Sequence, residues 1–254
     1  MTSRRRFLAG AAAFTALAPH AARAEFSIKT VLSHAELSRV GPVDEFKMGR
    51  AAAAALVDGK RLMKGSAEPV AYARQVLDTL ALRSRYPYSY RGPVLGVIED
   101  REINAYAAPG PFIFITTGML RFLRDEEELA AILGHELAHA ELQHAVYQYR
   151  NGEARRTFDL ATDGGFKDLF DDMMPAIVQG YSIEIEAEAD SRAIDLVNTA
   201  GYRPAALIEA LERFKSRTNS YGGAQYPQQR TAMLVDKVKR SEEHTSELQS
   251  HSFI

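Results

Sequence analysis

Asp125-Glu126-Glu127-Glu128-Leu129-Ala130-Ala131-Ile132-Leu133-Gly134-His135-Glu136-Leu137-Ala138-His139 is the stretch on which the reading of the whole chain depends. Acids open it, and apolar Leu129, Ile132, Leu133 and Leu137 follow at helical spacing. It therefore reads as an amphipathic helix with one buried side. His135 and His139 stand four residues apart, which places both imidazoles on one face of that helix. Two imidazoles so placed can grip one zinc ion per chain and leave a coordination position open. Glu136, between them, is then the general base that takes a proton from an activated water.

Two histidines do not complete such a site, and the chain has no cysteine to help. No H-x-x-G-x-x-H extension follows His139, which disfavours the metzincin layout. The best carboxylate source is Glu184-Ile185-Glu186-Ala187-Glu188-Ala189-Asp190-Ser191-Arg192-Ala193, a second predicted helix. Glu186 and Asp190 share a face there, and Glu188 points elsewhere. One of the pair can bind the metal while the other orients a ligand imidazole. His144, five residues after His139, falls about 140° around a continuous helix and reads as structural. His34 reads as a surface residue.

Taken together, H-E-L-A-H and the following E-x-E-A-D resemble the gluzincins that include HtpX, the CAAX prenyl endopeptidases and the BepA-type proteases. The resemblance runs from about Tyr72 to Arg230. Ile103-Asn104-Ala105-Tyr106-Ala107-Ala108-Pro109-Gly110 is similar to the segment that precedes the metal helix in that family. Phe112-Ile113-Phe114-Ile115-Thr116-Thr117-Gly118-Met119-Leu120 is similar to its next strand and turn. The resemblance implies Glu186 as the third metal ligand, which leaves Asp190 to orient an imidazole. It also implies a donor for the developing oxyanion downstream. Gln225-Tyr226-Pro227-Gln228-Gln229-Arg230 resembles the family's His-Pro segment and its arginine, with Tyr226 in the histidine's place and a shorter gap to Arg230. Tyr226, Arg230 and Asn104 are the candidate oxyanion or substrate contacts.

Both ends read as foreign to the fold. Ser3-Arg4-Arg5-Arg6-Phe7-Leu8, the apolar run Leu8–Leu17 and the small-residue site Ala22-Arg23-Ala24 form a twin-arginine export signal. That run is too short for a permanent membrane anchor. Arg240-Ser241-Glu242-Glu243-His244-Thr245-Ser246-Glu247-Leu248-Gln249-Ser250 is what a common sequencing adapter encodes when translated. The expected organisation is a signal peptide over 1–24, one metallopeptidase domain over 25–239, and an artefactual tail over 240–254, with the natural chain continuing past Lys239.

Between those ends the chain carries 26 basic and 30 acidic residues, with no basic block, so nucleic acid is not an expected partner. Helices are predicted over Phe46–Arg61, Val70–Arg83 and Ala205–Lys215, and a strand over Val94–Ile98. Asn104–Ala108 and Phe112–Thr116 flank a Pro109-Gly110-Pro111 turn. The segment Asn151–Gly180 reads either as a cover over the cleft or as an ordinary loop. The fold expected is α+β, a mainly helical zincin-like domain with a small sheet beside the H-E-x-x-H helix. The function expected is an exported, periplasmic zinc endopeptidase acting on unfolded or outer-membrane polypeptides, with possible peripheral membrane association and no membrane-spanning helix in the mature core. Substrate would pair its backbone with Asn104–Ala108 or Phe112–Thr116. The rivals are a zinc-binding, chaperone-like module with little proteolysis, and a hydrolase of non-peptide amides.

Overall fold

The computed structural model describes residues 40–84, 91–151, 173–217 and 228–251. The first two helices, α1 (Pro42–Leu56) and α2 (Glu68–Ala81), each carry proline in the first turn. Proline has the helical φ and lacks only an N–H that would have no partner there. Both helices therefore begin before the first apolar residue that marks them in the sequence. Strands β1 (Val94–Ile98), β2 (Ala105–Ala107) and β3 (Phe112–Thr116) form one sheet in the order β1-β3-β2. β3 is central, parallel to β1 and antiparallel to β2. This corrects one expectation. Phe112–Thr116 has a neighbour on each side and cannot take up a further strand, whereas β2 is an edge.

A tight corner leads out of the sheet. Thr116 caps α3 (Thr117–Phe122), its hydroxyl oxygen accepting from the Met119 N–H at 3.0 Å. A Cβ on Gly118 would stand 2.2 Å from the Glu102 carbonyl oxygen and 2.3 Å from that of Arg101, so only glycine passes here.

The metal-motif helix α4 (Glu126–Glu141) is pinned at its start. Asp125 caps it by accepting from the Glu128 N–H at 2.9 Å. Glu128, 1 % exposed, accepts from the Arg124 N–H at 2.8 Å and pairs bidentately with the Arg213 guanidinium. The following elements are α5 (His144–Asn151), α6 (residues 173–179), α7 (Ile183–Ala200), α8 (Ala205–Arg217) and α9 (Gln228–His251). α7 ends on Gly201 at φ 91°, a left-handed cap.

Two apolar clusters result. The larger joins Leu77 and Leu80 of α2, Ile113 and Ile115 of β3, Leu133 and Leu137 of α4, and Ala193 and Val197 of α7. The smaller joins Met48 of α1, Tyr106 of β2, Val146 of α5, and Met173 and Ile177 of α6. Gly134 lets α4 approach α7 closely, since a Cβ there would lie 3.0 Å from Val197 Cγ1. Among the described residues no helix is long and apolar enough to cross a membrane.

Candidate metal centre and active site

The packing of α4 on α7 brings His135, His139 and Glu186 together, all buried. The two Nε2 atoms stand 3.1 Å apart; Glu186 Oε2 is 3.4 Å from His135 Nε2, and Oε1 is 3.8 Å from His139 Nε2. Donor atoms on a tetrahedron with metal bonds of about 2.0–2.1 Å are separated by about 3.3 Å. The three distances fit that spacing, and two neutral imidazoles with one carboxylate are a chemically apt donor set for a divalent ion.

Electrostatics mark the same trio. Burial alone would lower the His135 pKa, but contacts with Asp190 and Glu186 outweigh it and push it up to about 10. Burial alone would raise Glu186, yet the two imidazoles hold its carboxyl well below the ordinary range. The same two carboxylates that favour a proton on His135 would favour a divalent ion held by the trio, and such an ion would compete with that proton. Asp190 lies behind His135, its Oδ1 3.0 Å from Nδ1. Glu136 is buried at the cleft wall, and loss of hydration raises its carboxyl to about 7, within range of a base working near neutrality.

The cleft is lined by Asn104, Ala105 and Ala107 on one side, by the trio and Glu136 at its floor, and by Ile177, Val178 and Tyr181 on the other. Thr116 N–H donates to the Asn104 carbonyl, and Ala108 N–H to that of Phe112, so alternate residues of β2 face β3. Ala105 and Ala107 then direct their backbone away from β3, on the side that has no strand partner among the described residues. The Ala105 N–H is taken by Asn104 Oδ1 at 2.9 Å, so the Asn104 side-chain oxygen holds its own strand.

Tyr181 has no periodic or spacing signal in the sequence. Its ring stacks on His139, centroids 4.7 Å apart and planes 21° apart, and its backbone N–H donates to Glu186 Oε1 at 3.2 Å. Its hydroxyl is buried with no hydrogen-bond partner among the described residues. Burial, with Glu136 and Glu186 nearby, raises its pKa, so it stays a neutral donor.

Two sequence expectations need amendment, and a third gains detail. His144 is not on the motif helix: α4 stops at Glu141, Gln143 takes a left-handed φ of 54°, and His144 opens α5 with its Nδ1 2.9 Å from His139 Nδ1. Glu188 does point away from the trio, but it is buried, with Oε2 3.4 Å from His144 Nε2. The segment Asn151–Gly180 is in part the helix α6, whose Ile177 and Val178 line the cleft; residues 152–172 lie outside the described residues. His34 and Tyr226 also lie outside them, and Arg230 is placed only as backbone in the first turn of α9.

Comparison with known proteins decides the family, because residues 68–252 match peptidase family M48. The chain belongs to that family. It is similar to the metalloprotease YcaL of Escherichia coli (strain K12), 28 % identical over 123 residues, which cover 45 % of this chain and 48 % of that one. It is similar to the mitochondrial metalloendopeptidase OMA1 of Bos taurus, 40 % identical over 53 residues, covering 21 % and 10 %. A putative beta-barrel assembly-enhancing protease of Vibrio cholerae is 27 % identical over 131 residues, covering 46 % and 27 %. The matched stretches span about half or less of each relative. Family M48 peptidases use a metal, and among the described residues His135, His139 and Glu186 are grouped closely enough to hold one.

Proposed function

We propose that this chain is a zinc endopeptidase acting on polypeptides held extended along β2. The observation that carries the reading is the meeting of donor atoms at tetrahedral spacing with a carboxyl poised near neutrality, in a cleft lined by β2, the edge strand of the sheet among the described residues. Zinc held by His135, His139 and Glu186, one per chain, would polarise the scissile carbonyl and acidify a water. Glu136 takes the proton from that water and returns it to the leaving amine. Asp190 fixes the orientation of the His135 ring from behind. Substrate backbone pairs with the outward carbonyl of Ala105 and the outward backbone groups of Ala107, a mode that selects extended conformation more than side-chain identity. The Tyr181 hydroxyl is the described group best suited to donate to the oxygen on which charge develops. Roles for Tyr226 and Arg230 rest on the resemblance of their segment alone.

Selection for extended chain suits unfolded or misassembled proteins as substrates. The N-terminal segment, read as a twin-arginine leader, would send the mature protein to the periplasm, where outer-membrane polypeptides in transit would fit that description. The Vibrio cholerae relative is named for enhancing beta-barrel assembly, which supports that substrate class.

Casein and an unfolded outer-membrane protein, each incubated with zinc-loaded, chelated and zinc-restored protein, test the proposal. Fragments should appear with zinc, vanish on chelation and return on restoration. Substrate bound and kept soluble but uncut in every arm would favour the chaperone-like rival and reject the peptidase.

A further inference from the structure

His139 turns its Nε2 into the trio, and behind it the ring meets a second buried pair. Its Nδ1 lies 2.9 Å from Nδ1 of His144, and Nε2 of His144 lies 3.4 Å from Oε2 of Glu188. His139, His144 and Glu188 are 4 %, 2 % and 7 % exposed, so these contacts are made away from water. A continuous helix would have carried His144 about 140° away from His139. The break at Gln143 prevents that. Left-handed backbone is unfavourable for a residue with a Cβ. Here it is retained by the Gln143 side chain, whose Nε2 donates to Glu45 Oε2 at 2.7 Å and to the Val40 carbonyl at 3.3 Å. The kink is thus clamped to α1, and it returns an imidazole to the back of His139.

We propose that His144, backed by Glu188, is a positioning residue that fixes the tautomer and ring orientation of the metal ligand His139. The inference rests on the metal reading of the trio. A ligand at Nε2 must present a lone pair there, so the His139 proton sits on Nδ1 and is donated to Nδ1 of His144. His144 then carries its own proton on Nε2, where it faces the Glu188 carboxylate. The opposite tautomer of His144 would set two N–H groups against each other. Tyr181 closes the remaining freedom by covering the His139 ring face, with the His144 ring 6.0 Å from its own. The two ligand imidazoles are therefore held by different devices, a carboxylate directly behind His135 and a neutral imidazole with a carboxylate beyond it behind His139.

The test compares zinc dissociation constants, by chelator competition, for wild type, His144→Asn, His144→Leu and Glu188→Gln, together with the thermal midpoint of each metal-free protein. Asparagine keeps an acceptor close to where Nδ1 of histidine stands, whereas leucine fills the volume and accepts nothing. Leucine should weaken zinc binding roughly 10–100-fold, the usual effect of losing such a partner. Asparagine should recover most of that loss, and Glu188→Gln should weaken binding by less than leucine does. A packing role predicts the reverse order, leucine equal to or better than asparagine, and that order overturns the proposal, as do equal affinities throughout. Should His144→Leu not fold, Glu188→Gln decides: wild-type affinity there overturns the relay, and weaker binding supports it. A wild-type protein that takes up no zinc would instead refute the metal reading itself, which keeps the two failures apart.

Discussion

At the scale of single residues, Glu186 and Glu184 make the sharpest contrast. They lie two positions apart on α7, yet Glu186 is buried against both imidazoles and Glu184 is exposed. Glu186→Ala should lose the metal on dialysis, and Glu184→Ala should keep one ion per chain; elemental analysis that found the opposite would shift the register of the ligand helix. Glu136 carries a pH signature. Its ionised form is the active one, so kcat/KM should fall as pH drops through its pKa. Burial raises that pKa to about 7 without metal, and a bound dication favours the carboxylate, so the acid limb of the loaded protein should lie below that value. The limb should be missing from the residual activity of Glu136→Gln; its persistence there would assign it to another group. The histidine pair and the carboxylate pair Glu186 and Asp190 were legible in the sequence because an i, i+4 spacing survives any detail of packing; that Glu186 rather than Asp190 joins the histidines came from the family resemblance alone. Tyr181 was not legible, since one aromatic between Gly180 and Ser182 carries no periodic signal.

At the scale of elements, what the sequence shows depends on whether the cause is local. Periodicity marks α2, α4 and α8, and the Pro109-Gly110-Pro111 turn marks the β2–β3 hairpin. The sheet order does not appear there, because the parallel pairing of β1 with β3 is a contact between separated segments. Nor does the break after Glu141. Gln143 is held left-handed by side-chain bonds to Val40 and Glu45, about a hundred residues upstream, so an uninterrupted helix past His144 was the natural local reading. The start of α4 offers a stability prediction. Arg213 covers Glu128 and lies over the Phe122 ring, 4.5 Å from its centroid. Arg213→Met leaves that carboxylate buried without its cation and should cost about 3 kcal/mol in urea unfolding. Metal content should stay at one ion per chain, since the pair lies about two turns from His135. A loss below roughly 1 kcal/mol would show that the pair is not a main anchor of the helix.

At the scale of the whole molecule, two apolar clusters meet at a polar seam, and the seam is the cleft. The metal-motif helix draws its rigidity from the larger cluster, while α6 and Tyr181 come to the same cleft from the side of the smaller. That division allows fixed ligands on one wall and a covering segment on the other. The proposed twin-arginine leader makes a prediction about location: Arg4→Lys with Arg5→Lys should strand the precursor in the cytoplasm, and exported wild-type protein should begin at or near Glu25. Exported protein that still begins with Met1 would contradict a cleaved signal. The central claim is that Glu136 does chemistry and does not hold the metal. The most direct measurement is the rate of casein cleavage by wild type and Glu136→Gln, each assayed for bound zinc. Equal zinc, one ion per chain, and a rate lower by about 10² or more in the variant are expected; equal zinc with comparable cleavage would rule out Glu136 as the general base.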